Sequence, residues 1–435
     1  MQNKRILIIT YYWPPSAGVG VHRWMHFAIN LQKMGWEPII YTPSNPQFDI
    51  KDEHLLNYVK DLRVIKEEIW EPFNFFHKLT GNKNRHNVKQ GLVMEKSAKS
   101  WKDDLLVWIR GNLFVPDPRK FWIGRSVKVL KNAIHENEIR TIITTGPPHS
   151  MHLIGYRLKK AMPELNWISD FRDPWSDWDV IKKLKTSRYN LKRHQNLERK
   201  VLTTSDLVLT VSNRLAQNFR SKGDAITVKL LTNGISDDRI SINQPTKESD
   251  KFVIGYFGML NEIRDPHHLW DELEIICKEN PEFNSQLEIR LGGIVSESIQ
   301  QRLLSSKYLK DKVVLLGYLT QNEVFEEYSK ASLLLLLLNK SDNAQWILPM
   351  KFFEYLSAGK PILSLGDCNS ELNEMFQQNE IGGMYEFEQV NEFSKFILSN
   401  FENNYSPNPD HMKRLLEKYS RSNQTKQLNS LLENL

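Results

Sequence analysis

Lys351 and Glu354 stand three residues apart in the stretch ILPMKFFEYLSAGKPIL, Ile347 to Leu363, among Phe352, Phe353, Tyr355 and Leu356. Read as a helix, the segment carries an ammonium and a carboxylate on its first turn, behind Pro349. A carboxylate among aromatic side chains needs a hydrogen-bonding partner, and a ligand hydroxyl would serve. Pro349 suits the first helical position, where a missing N–H costs nothing. Gly359 ends the helix with a residue that tolerates positive φ. On the first turn a glutamate also gains ~0.3–1 kcal/mol from the helix dipole. A second candidate is the turn SAGVG, whose Gly18 and Gly20 let backbone amides approach an anion such as a phosphate at the start of the following helix.

These groups need elements to hold them. The first half reads as the strand KRILIITYY, the glycine-bearing turn, the helix HRWMHFAINLQKMG and the strand EPIIYT. The strands TIITTG, LNWISDF and DLVLTVS follow, each before helical or loop sequence. Near-continuous apolar strands alternating with helices imply a parallel sheet covered on both faces. The polar segment SINQPTKESDK, Ser241 to Lys251, carries a proline and no apolar periodicity and is the expected linker. The pattern then restarts with FVIGYFG, LEIRLGG, VVLLGYL, the leucines Leu333 to Leu338 and PILSLG, with helices between them. The class is therefore α/β, with two tandem Rossmann-like, doubly wound sheets. HMKRLLEKYSRSNQTKQLNSLLENL has helical spacing and is expected to pack back on the first domain.

The 435-residue length suits two domains, and 40% hydrophobic with 25% charged residues marks a globular chain. Cys277 and Cys368 have no metal-ligand spacing and are too few for a disulfide framework, which points to a reducing cytoplasm. MQNKRILIITYYW enters a strand with no signal-like apolar region, and no apolar run approaches the ~18 residues of a membrane span. Charge is divided unevenly. Residues 1–245 hold 39 basic against 24 acidic side chains, a balance of +15, and residues 246–435 hold 19 against 28, a balance of −9. The basic half suggests an anionic surface or substrate. It shows no nucleic-acid recognition motif, so nucleic acid is not an expected partner. Aromatic and basic residues mix from Trp70 to Gly124, a segment that fits neither strand nor core helix well. A second basic run, IKKLKTSRYNLKRHQNLERK, follows LNWISDF. Such stretches can settle on an anionic membrane.

Taken in order, YYWPPSAGVGVHRW, TTGPPHS, WISDFRDPW, VSN, LLTNGIS, IGYFGMLNEIRDP, VVLLGYL and PMKFFEYLSAGKPIL resemble the bacterial glycosyltransferases of family 4 over nearly the whole chain. The resemblance implies the GT-B architecture, two Rossmann-like domains facing a cleft. Residues 1–245 would bind the acceptor, 246–410 the nucleotide sugar, and 411–435 would form a helix returning to the first domain. It implies that Glu354 accepts hydrogen bonds from the ribose hydroxyls. The amides of Met350 and Lys351 would face the diphosphate, with Gly18, Gly20, Gly258, Arg264 and Tyr318 also on the donor. Arg264 is planar and can bond two phosphate oxygens without a metal; a surface ion pair with Glu262 or Asp265 is the structural alternative. His149, just past a strand end, would meet donor or acceptor and bond a sugar hydroxyl or move a proton. Asp173 would contact the acceptor, with Asp170 satisfied by local N–H groups. Relatives often carry a glutamate where Trp346 stands and an arginine near Met259.

The function implied is retaining transfer of a sugar from a nucleotide-diphosphate donor, UDP by expectation, to a hydroxyl of a glycan or lipid-linked acceptor. The setting expected is surface polysaccharide synthesis in the cytoplasm, with peripheral membrane contact. No cofactor or metal is expected. Asp177-Trp178-Asp179 looks like a metal-binding DxD of the GT-A kind, but the tandem sheets argue against it. A GT-B epimerase of nucleotide sugars and a non-catalytic binding protein are the alternatives.

Overall fold

The computed structural model describes residues 4–46, 48, 51–71, 101–240, 250–341, 343–403 and 407–435. Phe73, Phe75 and Phe76, the side chain of Trp101 and nearly all of the expected linker lie outside the described residues. The chain divides into two compact units: the first comprises 1–90, 96–232 and 424–435, the second 91–95 and 233–423.

In the first unit seven parallel strands run β1 (Arg5–Ile9), β2 (Glu37–Pro43), β3 (Arg63–Glu67), β4 (Thr141–Gly146), β5 (Asn166–Phe171), β6 (Leu207–Thr210) and β7 (Val228–Leu230). Their spatial order is β3-β2-β1-β4-β5-β6-β7. In β1, Ile6 through Ile9 are all buried, as a sheet covered on both faces demands. The register Leu7↔Ile39 and Leu7↔Ile142 seats β1 between β2 and β4. Both β3 and β7 escape the sequence pattern: β3, at the sheet edge, has only half-buried and exposed residues, and β7 is three residues long.

In the second unit β8 (Phe252–Phe257), β9 (Leu287–Gly292), β10 (Val313–Gly317), β11 (Leu333–Leu337), β12 (Ile362–Leu365) and β13 (Gly382–Tyr385) repeat the scheme in the order β10-β9-β8-β11-β12-β13. All five leucines of β11 are buried. Each such burial stabilises the fold by roughly 1.5–3 kcal/mol. The strand order reverses between β1 and β4 and again between β8 and β11, and ligands of open α/β sheets bind at such switch points, beyond the carboxyl ends of the strands.

The terminal segment forms two helices, where a single returning one was expected. Met412, Leu415 and Tyr419 of the helix Pro409–Tyr419 belong to the core of the second unit, against Phe353 and Leu356. The next helix, Arg421–Glu433, sends Leu428 and Leu432 into the first unit's core, where Trp36 Nε1 donates to Asn429 Oδ1 at 2.7 Å. Trp70 to Gly124 also differs from expectation. Its described part includes the helix Trp101–Leu113 and the 3-10 turn Pro118–Trp122, and Trp122 is buried and stacked on Tyr41 at 4.9 Å.

Candidate functional site

In the second unit the helix Met350–Ala358 begins after Pro349, which is its N-cap rather than its first residue. Glu354 thus falls on the second turn, and the dipole argument made for a first-turn glutamate does not apply to it. What holds Glu354 is the side-chain hydroxyl of Tyr328, which donates to Oε2 at 3.1 Å. Burial pushes the carboxyl above the usual glutamate range, while Tyr328, Lys351 and Arg421 pull it back. Gly359 closes the helix with φ 62°, as its position required.

Lys351 reaches the loop after β8. Its Nζ lies 4.3 Å from the centroid of the Tyr256 ring, and a Cβ on Gly258 would stand 2.1 Å from that nitrogen. Gly258 has φ +141°, a conformation side chains rarely adopt, so the same residue allows the turn and leaves room for the ammonium. Arg264 makes no surface ion pair with its sequence neighbours: Nε donates to Asn339 Oδ1 at 2.6 Å and Nη1 to the Met259 carbonyl at 3.4 Å. Asp265 accepts from Trp270 Nε1 instead. Two cations therefore flank the turn at the β8/β11 switch. Met350 occupies the first helical position, and Tyr318, 73% exposed, follows β10.

In the first unit Gly18 is the N-cap of the helix Val19–Lys33, with no side chain capping it. Gly20 is needed for close approach: a Cβ there would meet Arg172 Nη1 at 2.5 Å. Arg172 in turn donates to the Gly146 carbonyl at 3.2 Å and the Pro147 carbonyl at 2.7 Å, joining the loops after β1, β4 and β5. His149 lies at the N-cap of the helix Ser150–Ala161 and is 4% exposed, with neither ring nitrogen bonded within the protein. Burial, then His152, His194 and Arg172, hold its pKa well below the usual histidine value, so the ring is neutral.

Asp170 departs from its expected local satisfaction. Its carboxylate is fully buried and accepts from Arg23 Nη2 at 2.9 Å, Trp24 Nε1 at 2.6 Å and Thr145 Oγ1 at 2.9 Å, all distant in sequence. Burial alone would raise its pKa, but Arg23 and these donors bring it below the usual range. Asp173 is only half-buried, makes no hydrogen bond to a described residue, and is raised by burial against the pull of Arg172. Asp177 accepts from Lys222 Nζ at 2.7 Å.

The matched sequence family bears on the site of the second unit. Residues 251–403 match the family described as Glycosyl transferases group 1. The second unit is a group 1 glycosyltransferase domain. Comparison with curated protein sequences returned no match. Over the whole length the fold of the chain is similar to that of sucrose-phosphate synthase from Thermosynechococcus elongatus, at TM-score 0.65 and 14% identity, covering 99% of this chain and 98% of that one. It is similar to the lipopolysaccharide outer core galactosyltransferase WaaB in its apo form, at TM-score 0.62 and 14% identity, covering 99% and 100%. WaaG, a glycosyltransferase involved in lipopolysaccharide biosynthesis, matches at TM-score 0.57 and 13% identity over 98% and 99%. The fold is thus the expected GT-B one, two parallel Rossmann-like sheets with the chain's last helix packed in the first unit. The family match over residues 251–403 implies a nucleotide-sugar donor and an acceptor as substrates.

Sequence reasoning missed several residues around the candidate sites of the two units. Asn339 and Tyr328 hold Arg264 and Glu354 from 75 and 26 positions away, a separation that leaves no local signal. Asp117 accepts from the Ser150 amide at 2.8 Å and the Ser150 hydroxyl at 2.8 Å, tying the start of the His149 helix to the segment after Leu113. The one legible signal was His194 and Glu198, four apart in the basic run, a spacing that puts two residues on one helical face.

Proposed function

We propose that the second unit binds a nucleoside diphosphate sugar, UDP-linked, and that the first unit binds the hydroxyl-bearing acceptor to which the sugar passes with retention of configuration. The observation that carries this is the ammonium of Lys351 set against Gly258 at the β8/β11 switch, beside the N-terminus of the helix Met350–Ala358. A leaving diphosphate there meets two cations, Lys351 and Arg264, and the amides of Met350 and Lys351. Glu354 receives the ribose hydroxyls. In retaining transfer the acceptor attacks on the face the leaving group departs from, so a phosphate oxygen can take the acceptor proton. No strong protein base is then required. The neutral His149 ring, with a donor and an acceptor nitrogen both unbonded, suits a sugar hydroxyl. Asp173, with a free and half-buried carboxylate, suits an acceptor hydroxyl. Gly18, Gly20 and Tyr318 complete the donor side of the reading.

Transfer in this reading proceeds without a metal, and the ion pair of Asp177 with Lys222 supports a structural role for the DWD segment. The acceptor is a glycan or a lipid-linked glycan, met at the inner face of a cytoplasmic membrane. Among the described residues no helix is long and apolar enough to cross a membrane. Lys182, Lys183, Lys185, Arg188, Lys192, Arg193, Arg199 and Lys200 are all exposed, which supports contact with an anionic surface.

The test is a thermal-shift series of the full chain with UDP, GDP, UDP-glucose and UDP-N-acetylglucosamine, with and without EDTA. Tight donor binding raises the melting temperature by mass action. UDP ligands should raise it and EDTA should not cancel the rise. Stabilisation by GDP alone would overturn the choice of base. Product analysis then separates the alternatives: a new nucleotide sugar released without transfer marks an epimerase, and binding without turnover marks a non-catalytic protein.

A further inference from the structure

Trp175, in the loop after β5, is fully buried, and its indole lies flat against the His149 imidazole, with centroids 4.7 Å apart and ring planes 1° from parallel. The indole N–H donates to His194 Nδ1 at 3.0 Å. One turn further along the helix Arg188–Thr204, Glu198 accepts from the Trp175 backbone amide at 3.4 Å and from the Ser176 hydroxyl. Lys222 Nζ reaches the same carboxylate at 2.8 Å. The buried face of the basic helix thus grips both the ring and the backbone of Trp175. Around the imidazole stand Phe171 at 6.1 Å, His152 at 5.9 Å and Trp178 edge-on at 6.2 Å. Yet both ring nitrogens of His149 stay unbonded within the protein.

We propose that Trp175, fixed by His194 and Glu198, is a positioning residue that holds the His149 ring at one angle and shields it from water, so that its unbonded nitrogens meet the substrate. This rests on the reading of His149 as a group that touches the sugar. A buried polar ring with no bonds is costly, so it keeps a single orientation only if its surroundings enforce one. The flat indole does so on one face, and the indole cannot rotate while His194 accepts its N–H. The same packing keeps His149 neutral. The titratable and charged groups facing the ring are His152, His194 and Arg172, and each of them, after burial, disfavours a proton there. A neutral imidazole offers one donor and one acceptor, whereas a protonated one offers only donors.

The experiment uses the full chain with nitrogen-15-labelled histidine, the His149 signals being assigned by their loss in His149→Gln. In the wild type these signals should not titrate through the ordinary histidine range. His194→Leu and Trp175→Leu should move the His149 titration upward toward that range. His194→Asn, whose Oδ1 can accept in place of Nδ1, should move it less than His194→Leu does, because only the electrostatic contribution of His194 is lost. With UDP-glucose and UDP-N-acetylglucosamine as donors, His194→Leu should lower turnover on the order of 10-fold with KM little changed, as misalignment of a reacting group does. His194→Asn should restore turnover. An unshifted His149 titration in both leucine variants overturns the positioning role. Unchanged turnover in His149→Gln overturns instead the substrate-contact reading, and the two failures are thereby distinguished.

Discussion

Arg264 Nε donates to Asn339 Oδ1 at 2.6 Å, and this bond joins the loop after β8 to the loop after β11, the two strands that flank the switch point of the second sheet. Arg264 Nη2 makes no hydrogen bond to a described residue, so the guanidinium is oriented on one side and open on the other. Arg264→Ala should therefore slow sugar transfer more than it weakens binding of the bare nucleoside, because its charge acts where the diphosphate develops negative charge. Steady-state kinetics set beside uridine and UDP titrations check this. Equal losses for uridine and for UDP-sugar would indicate structural damage instead.

Glu354→Gln keeps the shape of the side chain and removes a charged acceptor. Donor affinity should fall by about 1.5–3 kcal/mol, the scale of a hydrogen bond to a charged group. Burial raises the Glu354 pKa and the acceptor is the ionised form. Wild-type affinity should then decline as pH falls through that raised value, and Glu354→Gln should lack this decline. Calorimetric titration with UDP across the acid range decides it, and a glutamine variant that binds like the wild type would refute the ribose assignment.

Gly258→Ala combines an unfavourable backbone conformation with a collision against Lys351 Nζ. The strain of a non-glycine residue in such a region is of order 1–3 kcal/mol, and the displaced ammonium should weaken UDP binding as well. Chemical denaturation and UDP affinity measured on one preparation should both decline. Loss of stability with unchanged UDP affinity would detach Lys351 from the diphosphate.

Burial lowers the pKa of His152 to about 3 and of His194 to about 4, and brings His149 well below the usual range. Below the unfolded histidine value, near 6.5, the unfolded chain takes up protons that these folded rings refuse, so stability falls as pH falls from there toward the folded values. Each ring contributes a slope of up to about 1.4 kcal/mol per pH unit. Urea unfolding between pH 6.5 and 4 should show a shallower decline in His194→Asn than in the wild type. Identical slopes would mean that His194 is as easily protonated folded as unfolded.

Eight exposed basic residues between Lys182 and Lys200 should bring the chain to anionic vesicles. Each lysine or arginine near such a surface contributes about 1 kcal/mol, screened beyond about 10 Å at 0.1 M salt. Co-sedimentation should be strong with anionic lipid at low salt and weak with neutral lipid or high salt. Equal recovery with both lipids, or none at low salt, would leave this helix as an ordinary solvated face.

Local sequence carries local physics, and that is what it determined here. The apolar runs of β1, β4, β8 and β11, the helix ended by Gly359 and the tandem repeat of the α/β pattern follow from periodicity and turn chemistry, which act over a few residues. The same local logic singled out Lys351 and Glu354 as candidates, whereas Arg264 and His149 were candidates only through the family resemblance. The edge strands β3 and β7 were not legible because an edge strand needs no continuous apolar run. The break at Ser420, which parts two helices with different cores, was hidden because both halves share helical spacing. Only the tertiary structure decided the partners. Asp170 is held by Arg23, 147 positions away, Glu354 by Tyr328, Arg264 by Asn339, and Trp175 by a helix that looked merely basic. A hydrogen bond depends on distance in space, and nothing in the residue types marks which distant side chains the strand order will bring within 3 Å of each other.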